Sequence, residues 1–344
     1  MSKVQKQKLK YTAPGFGPLD ISDISINNKI INVDFHNAIN SVIITRSING
    51  ASTLALNLTD PKREILRSKN FFKNGDTIEI PDGNGHYLQF VFMQVNKASD
   101  QIQVTFESIQ VNRLRTIYGT INSSSITDAG AFVQSICQAH NIHFIGPVND
   151  PRIQPTVYAV SSGTGANPYE DAWTSFQRIA GSLGWRCWES AGVIFFGPDD
   201  YWFNQIDKAP TPPVNSWFKH GTPTLKEFHE DVMLIDYDWN MGAPFGDLTI
   251  TCMVDYWQYN PGEIVKVSGV GPADGYWLIS AMQRDFFNAQ ATVTATVPMP
   301  QIYAVNPPVL PLLAGRPNYT EAQLNQYRQE VINLANAQGT TPVL

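Results

Sequence analysis

Between residues 19 and 115 apolar and polar positions alternate. Ile24 and Ile26 bracket Ser25, while Ile31, Val33 and Phe35 bracket Asn32 and Asp34, and Leu54, Leu56 and Leu58 bracket Ala55 and Asn57. A period of two puts one set of side chains on a buried face and the other on an outer face, so these runs predict strands. Asn49-Gly50 predicts a tight reversal before the third run, because that dipeptide tolerates positive φ at both turn positions. Asp60 as N-cap and Pro61 at the first helical position predict a short helix over 62–69. Residues 75–106 then read as a β-meander that completes a small barrel or sandwich, a closure that protects strand edges.

A stronger form of that meander returns at 262–297, and the chain is organised around the pair. Gly75-Asp76-Thr77-Ile78-Glu79-Ile80 corresponds to Gly262-Glu263-Ile264-Val265-Lys266-Val267, and Ile102-Gln103-Val104-Thr105 to Ala291-Thr292-Val293-Thr294. Between them Gly85-His86-Tyr87-Leu88 answers Gly275-Tyr276-Trp277-Leu278, and Met93 answers Met282. Upstream, Ser41 to Thr45 and Thr53 to Asp60 answer Val232 to Asp236 and Asp247 to Asp255. Self-similarity over units of this size predicts two related domains rather than a solenoid of small repeats.

The pattern between 123 and 198 is different. Thr127 is placed to cap a helix over 128–140, with Phe132, Val133, Ile136 and Cys137 on one side and Asn141 as the stop. A strand over 142–147 follows, then a polar loop at 161–166. Asn167 and Glu170 around Pro168 suggest a capping box for a helix that buries Ala172, Phe176, Ile179 and Leu183 and ends at Gly184. Residues 185–189 and 193–196 read as a hairpin turned at 190–192. The segments 201–225 and 298–317 are rich in proline and read as extended connections. Thr320 and Gln323 open a last helix over 320–337, with Leu324, Tyr327, Val331 and Leu334 as its apolar stripe.

The fold class expected is therefore mainly β with an α/β insertion. Its parts are a flexible N-terminal arm at 1–18, a first tube-type β-barrel at 19–118 and an inserted α/β domain at 119–200. An extended Pro/aromatic linker at 201–226 leads to a second tube-type β-barrel at 227–298, and a Pro-rich linker with the C-terminal amphipathic helix occupies 299–344. A chain of 344 residues has length enough for these cores. Hydrophobic residues at 43%, charged ones at only 16%, and 24 Gly with 23 Pro favour a turn-rich β architecture.

A net charge of −6 argues against a broadly cationic, phosphate-clamping surface, although an acidic or neutral wall would let a polyanion slide past. Cys137, Cys187 and Cys252 form no CxxC pair and are odd in number, which argues against a disulfide framework or zinc. No apolar run reaches the roughly 20 residues needed to span a bilayer. The basic start, 1–10, has no hydrophobic segment after it and reads as an arm rather than a secretory signal.

No catalytic constellation emerges. Cys137 and His140 are one helical turn apart, but Cys137 lies on the apolar stripe, where a thiol acts as a small hydrophobe. His140 and His143 flank a helix end, where the macrodipole favours them without a metal. His229, Glu230 and Asp231 lack further ligands at a usable spacing. The loop around Gly163-Thr164-Gly165 lacks the phosphate-loop pattern, and Asp199-Asp200 and Glu170-Asp171 are better read as turn and capping carboxylates than as a glycosidase pair. No catalytic, metal or cofactor residue is expected. Aromatics gather at Trp173, Trp185, Trp188, Tyr201, Trp202 and Phe203, and again at Tyr256, Trp257, Tyr259, Tyr276 and Trp277. They fit either core filling or binding surfaces, and their place beside Pro-rich connections favours interfaces. Trp202, Tyr256 and Trp257, with Leu324, Tyr327 and Val331 of the last helix, are the interface candidates.

The repeated units and the α/β insertion, with Asp60-Pro61, Gly75-Asp76-Thr77-Ile78, Asp171-Ala172-Trp173, Gly184-Trp185 and Gly275-Tyr276-Trp277-Leu278, resemble the baseplate hub or tail-tip hub proteins of long-tailed phages and related contractile injection systems. The resemblance covers roughly 20–300. It implies a virion structural protein, assembled in the host cytoplasm and located at the tail tip, in which three chains with two barrels each form a pseudo-sixfold ring. Such a ring would adapt a sixfold tail tube or distal tail protein above to a threefold spike, fibre or tape-measure protein at the tip, with DNA passing through without specific binding. No appended lysozyme, peptidase or spike domain is read in these residues, so any wall-degrading or penetrating activity is expected to belong to another protein. Thr53, Ala55, Asn57 and Thr59, with Thr249 and Thr251, form uncharged faces opposite Leu54, Leu56, Leu58 and Leu248, Ile250, and are the channel-lining candidates. The alternatives are a carbohydrate-binding adhesion module using the Trp/Tyr clusters, or a cell-wall hydrolase.

Overall fold

The computed structural model describes residues 25–26, 29–30, 38–67, 71–81, 87–118, 126–150, 160, 170–198, 201, 226–229, 234–241, 246–253, 261–262, 264–268, 275–285 and 290–296, with Asn325, Arg328, Gln329, Ile332, Asn333 and Asn336 of the last segment. The N-terminal arm, the loop at 161–166 and nearly all of both Pro-rich connections lie outside these residues.

The first strands are β1 (Ser25–Ile26), β2 (Lys29–Ile30), β3 (Ile39–Ser47), β4 (Thr53–Thr59), β5 (Thr77–Pro81), β6 (Tyr87–Ala98) and β7 (Gln101–Ser108). Helices α1 (Ile109–Arg115) and α2 (Ala129–Ala139), strand β8 (His143–Ile145), helix α3 (Ala172–Leu183) and the hairpin β9 (Arg186–Ser190) and β10 (Val193–Gly197) follow. The chain continues through β11 (Lys226–His229), β12 (Leu234–Met241), β13 (Gly246–Met253), β14 (Ile264–Ser268), β15 (Gly275–Asp285) and β16 (Gln290–Thr296).

Thirteen strands form one sheet, and its order repeats. The first half runs β3-β4-β7-β6-β5-β1 and the second runs β12-β13-β16-β15-β14-β11. The last strand differs in direction, since β1 is antiparallel to β5 whereas β11 is parallel to β14. Bulges repeat as well: Asn40 and Ile235 are the extra residues of β3 and β12, and Met93 and Ser280 those of β6 and β15. Counting from these bulges makes Thr53 equivalent to Asp247, Thr77 to Ile264 and Ile102 to Ala291, the correspondences expected from sequence. Other phrases slip. Ser41 answers Asp236, Leu88 answers Gly275, and Met93 answers Ser280 rather than Met282. A bulge adds one residue to one strand, so similar-looking phrases on either side of it fall out of step.

The halves are joined directly, because β15 pairs antiparallel with β3 from Ala281 opposite Ser47 to Asp285 opposite Ile43. One apolar cluster therefore runs through both, from Val42, Ile44, Leu54, Leu56, Leu58, Val104 and Phe106 to Leu248, Ile250, Ile279, Met282 and Val293. Leu54, Leu56 and Leu58 are fully enclosed, and each contributes about 1.5–3 kcal/mol by leaving water.

The insertion folds on its own small sheet, β8-β10-β9, with β8 parallel and β9 antiparallel to β10. Its core takes Phe132, Val133, Ile136 and Cys137 from α2, Phe176 and Ile179 from α3, and also Val111 and Leu114 from α1. Four local expectations are corrected. Asp128, not Thr127, caps α2, its Oδ1 accepting from Ala131 N–H at 2.7 Å. Asp171, not Asn167, caps α3 through Thr174 N–H at 2.7 Å, which leaves Glu170 to bind Ser175 and Arg178. A carboxylate on the residue directly before the first helical turn reaches the free N–H groups without strain.

Third, 62–67 form turns rather than a helix. Asp60 accepts from both Glu64 N–H at 2.8 Å and Leu66 N–H at 2.9 Å, and Arg63 takes φ 59°, which a helix cannot accommodate. The Asn49-Gly50 loop is also wider than a two-residue reversal, and neither residue has positive φ. Asn141 at φ 54° and Gly184 at φ 67° do stop α2 and α3 in the left-handed region.

Candidate functional site

The channel-lining candidates share one sheet face. Thr53, Ala55, Asn57 and Thr59 are half-buried and alternate with the enclosed leucines of β4, and Thr249 and Thr251 do the same on β13. Strand register connects them. Thr251 stands opposite Thr292, Thr292 opposite Gln283, Gln283 opposite Thr45, Thr45 opposite Thr53, and Thr53 opposite Glu107. A second row runs from Asp238 through Thr249, Thr294 and Ala281 to Ser47. A third links Ser41, Asn57, Gln103 and Asn96. Directly opposed positions on one face have their Cβ atoms roughly 5 Å apart, so these rows form a single polar surface across both halves.

Part of this surface is tied by side-chain hydrogen bonds. Asn57 Nδ2 donates to Ser41 Oγ at 2.6 Å, Gln103 Nε2 donates to Asn57 Oδ1 at 3.2 Å, and Gln101 Nε2 donates to Thr59 Oγ1 at 3.1 Å. Among the described residues of the face from β12 to β6 there is no lysine or arginine. Its charges are acidic: Asp236, Asp238, Asp247, Asp285 and Glu107. Glu107 is matched by Arg115 at the end of α1, with Nε to Oε2 at 2.9 Å and Nη2 to Oε1 at 3.0 Å, a fork that raises the Arg115 pKa. Arg46, Arg284 and Lys97 belong to the opposite face by register.

A second cluster holds the insertion against both halves. Glu189 is enclosed, and its carboxylate accepts from Ser52 N–H at 3.0 Å and Gly192 N–H at 2.7 Å. Its backbone adds two bonds, donating N–H to Gly50 O at 3.0 Å and accepting from Ser52 Oγ at 3.0 Å. Burial pushes the Glu189 carboxyl above its ordinary value, opposed by these donors and by the Arg46 charge. Arg46, Ser52, Ser108, Gln110 and Glu189 line an open cleft there. Beside it Trp188 stacks on Phe195 at 4.9 Å, and both pack with Ile48 and Leu278.

Trp173, Trp185, Trp188 and Trp277 are therefore buried. Trp173 and Trp185 fill the core of the insertion rather than a binding surface, and Trp188 serves the contact between the insertion and the sheet. The interface candidates Trp202, Tyr256, Trp257, Leu324, Tyr327 and Val331 lie outside the described residues. The helical residues Asn325, Arg328, Gln329, Asn333 and Asn336 form an exposed polar side of the last segment. Sequence reasoning missed Glu189, which carried no signal beyond a polar residue in an apolar hairpin. Among the described residues no three His, Cys, Asp or Glu side chains gather as a metal site, and no helix is long and apolar enough to cross a membrane.

No family model matches the chain, and no curated protein matches its sequence. Its fold is similar to that of a 43 kDa tail protein of prophage MuSo2 from Shewanella oneidensis, with a TM-score of 0.50 at 11% identity over 79% of this chain and 95% of that one. A tail protein from Neisseria meningitidis MC58 gives 0.48 at 11% identity over 80% and 96%, and prophage tail protein gp18 from Listeria monocytogenes EGD-e gives 0.41 at 9% over 91% and 100%. The chain thus has a mainly β fold that a prophage tail protein also has.

Proposed function

We propose that the chain is a structural protein of a phage tail, a homotrimeric hub at the tail tip that forms part of the DNA-delivery channel and has no enzymatic activity of its own. The observation that carries this reading is the polar face that continues from the second half into the first, whose strands carry no lysine or arginine on that side among the described residues. DNA is retained on a protein mainly where Lys or Arg neutralises phosphates and releases counterions. A wall of Thr, Asn, Gln and Asp gives a passing duplex nothing to hold. The repeated strand order adds support, since three chains with two like units each offer six similar surfaces to a sixfold tube and three to a spike or fibre. Similarity of fold to a prophage tail protein agrees with a location in a virion tail.

Negative-stain imaging and light scattering on one purified sample test the reading. Rings of three chains with a central hole and pseudo-sixfold density are the expected result. A monodisperse monomer that binds glycans on an array would favour the adhesion module instead.

A further inference from the structure

Strand β15 divides its outer edge between two partners. Residues 275–278 pair with β14, and 281–285 pair with β3 of the first half. Its equivalent β6 pairs with β5 from Tyr87 to Val91, but beyond the bulge at Met93 that edge meets no strand among the described residues. At the far end of the sheet β12, the equivalent of β3, pairs with β13 and with no other strand among the described residues. The chain therefore uses one copy of a junction internally and leaves the two halves of a second copy open at opposite ends.

Surface chemistry marks the same two edges. Three of the five exposed large hydrophobics among the described residues are Met93 at 43%, Val95 at 38% and Trp239 at 39%, all on β6 or β12. Exposed apolar side chains along an unpaired edge are a template for another strand, which soluble monomers usually avoid.

We propose that β6 of one copy pairs antiparallel with β12 of the next, in the register of the internal β15–β3 junction. Transferring that register through the bulge equivalences sets Val95 opposite Met241, Asn96 opposite Asn240, Lys97 opposite Trp239 and Ala98 opposite Asp238. Two features agree with the transfer. Asn96 and Asn240 fall on the polar face, so the polar surface passes through the junction as it does at Gln283 and Thr45. On the other face Lys97 takes the place of Arg284 and meets Trp239, over which a lysine stem can lie with its ammonium near the ring. A contact between two different edges is head-to-tail and generates a ring when the rotation closes. The inference rests on the ring reading for the number of copies, while the pairing itself is argued from one chain.

The test uses the full chain carrying Asn96→Cys with Asn240→Cys, a short bis-maleimide, and light scattering on the unmodified protein. Controls are each single variant and the out-of-register pair Asn96→Cys with Asp236→Cys. The in-register pair is expected to give covalent dimers and trimers at least about tenfold above every control, because opposed positions stand roughly 5 Å apart at Cβ. Trp239→Lys is expected to abolish the oligomer while leaving the circular dichroism spectrum of the chain unchanged. An oligomer that forms without in-register cross-linking, or that survives Trp239→Lys, overturns the junction and leaves the ring reading standing. A chain that stays monomeric and unlinked at its highest soluble concentration overturns both.

Discussion

The Trp188 indole lies against bare backbone at Gly262: a Cβ built on that glycine would stand 2.3 Å from Trp188 Cζ2. The insertion thus packs on the second half of the sheet through a residue with no side chain, at φ 87°, whose N–H also donates to Ile279 O at 2.9 Å. Its repeat equivalent Gly75 has φ 91° with no atom near a built Cβ.

The pair separates backbone strain from overlap. Gly75→Ala is expected to cost about 1–2 kcal/mol, the penalty of a left-handed conformation alone. Gly262→Ala adds an overpacking term of about 1–3 kcal/mol. Urea denaturation of both variants checks the difference, and equal losses would mean that Trp188 does not need the glycine.

Glu189 gives stability a pH dependence. Its carboxyl is raised by burial, so the native state holds its proton more tightly than the unfolded chain. The resulting stabilisation is fully present below the ordinary value of 4.5 and is lost as pH rises through the folded value. In Glu189→Gln that slope disappears, and the variant loses about 1–3 kcal/mol at neutral pH because an amide NH2 faces one of the N–H groups of Ser52 and Gly192. Denaturation midpoints of both proteins from acid to neutral pH measure the slope.

A triple variant Thr53→Lys, Asn57→Lys, Thr249→Lys places cations on the polar face. The unmodified chain is expected to leave duplex DNA unshifted in a gel. The variant is expected to bind it, with log affinity falling against log salt by about 0.9 for each phosphate neutralised. In particles carrying the variant, DNA delivery slows while tail assembly continues. Unchanged delivery would remove these residues from the channel.

Burial pushes the Cys137 thiol up to about 12 and the Cys187 thiol well above its ordinary value. Neither holds a useful thiolate fraction at neutral pH, so both are expected to resist a disulfide reagent until the chain unfolds. Release of chromophore with and without denaturant measures this, and rapid native labelling of either would mean that the insertion opens.

Local chemistry was legible where one short segment decides the outcome. Alternation at Leu54 to Leu58, the positive-φ stops at Asn141 and Gly184, and the match of Thr53 with Asp247 depend on side-chain period and chain entropy, which any segment carries with it. The same holds for the polar character of Thr53, Asn57, Thr249 and Thr251. Helix starts were read one to four residues early, because Thr127, Asp128, Asn167 and Asp171 can all cap and only packing selects where the helix begins. Asp60 illustrates the converse: a residue able to start a helix instead organises turns once Arg63 adopts positive φ.

The alternating pattern and the repeat were thus determined by the sequence itself, because burial on one face requires a period of two whatever the strands pair with. Only the tertiary structure decided that β15 joins β3, that Glu189 rather than an aromatic anchors the insertion to Ser52, and that six polar candidates belong to one continuous face. Pairing of distant edges depends on twist, bulges and which edges remain free after each half has formed, and none of these is encoded in the hydrophobic pattern of a single strand.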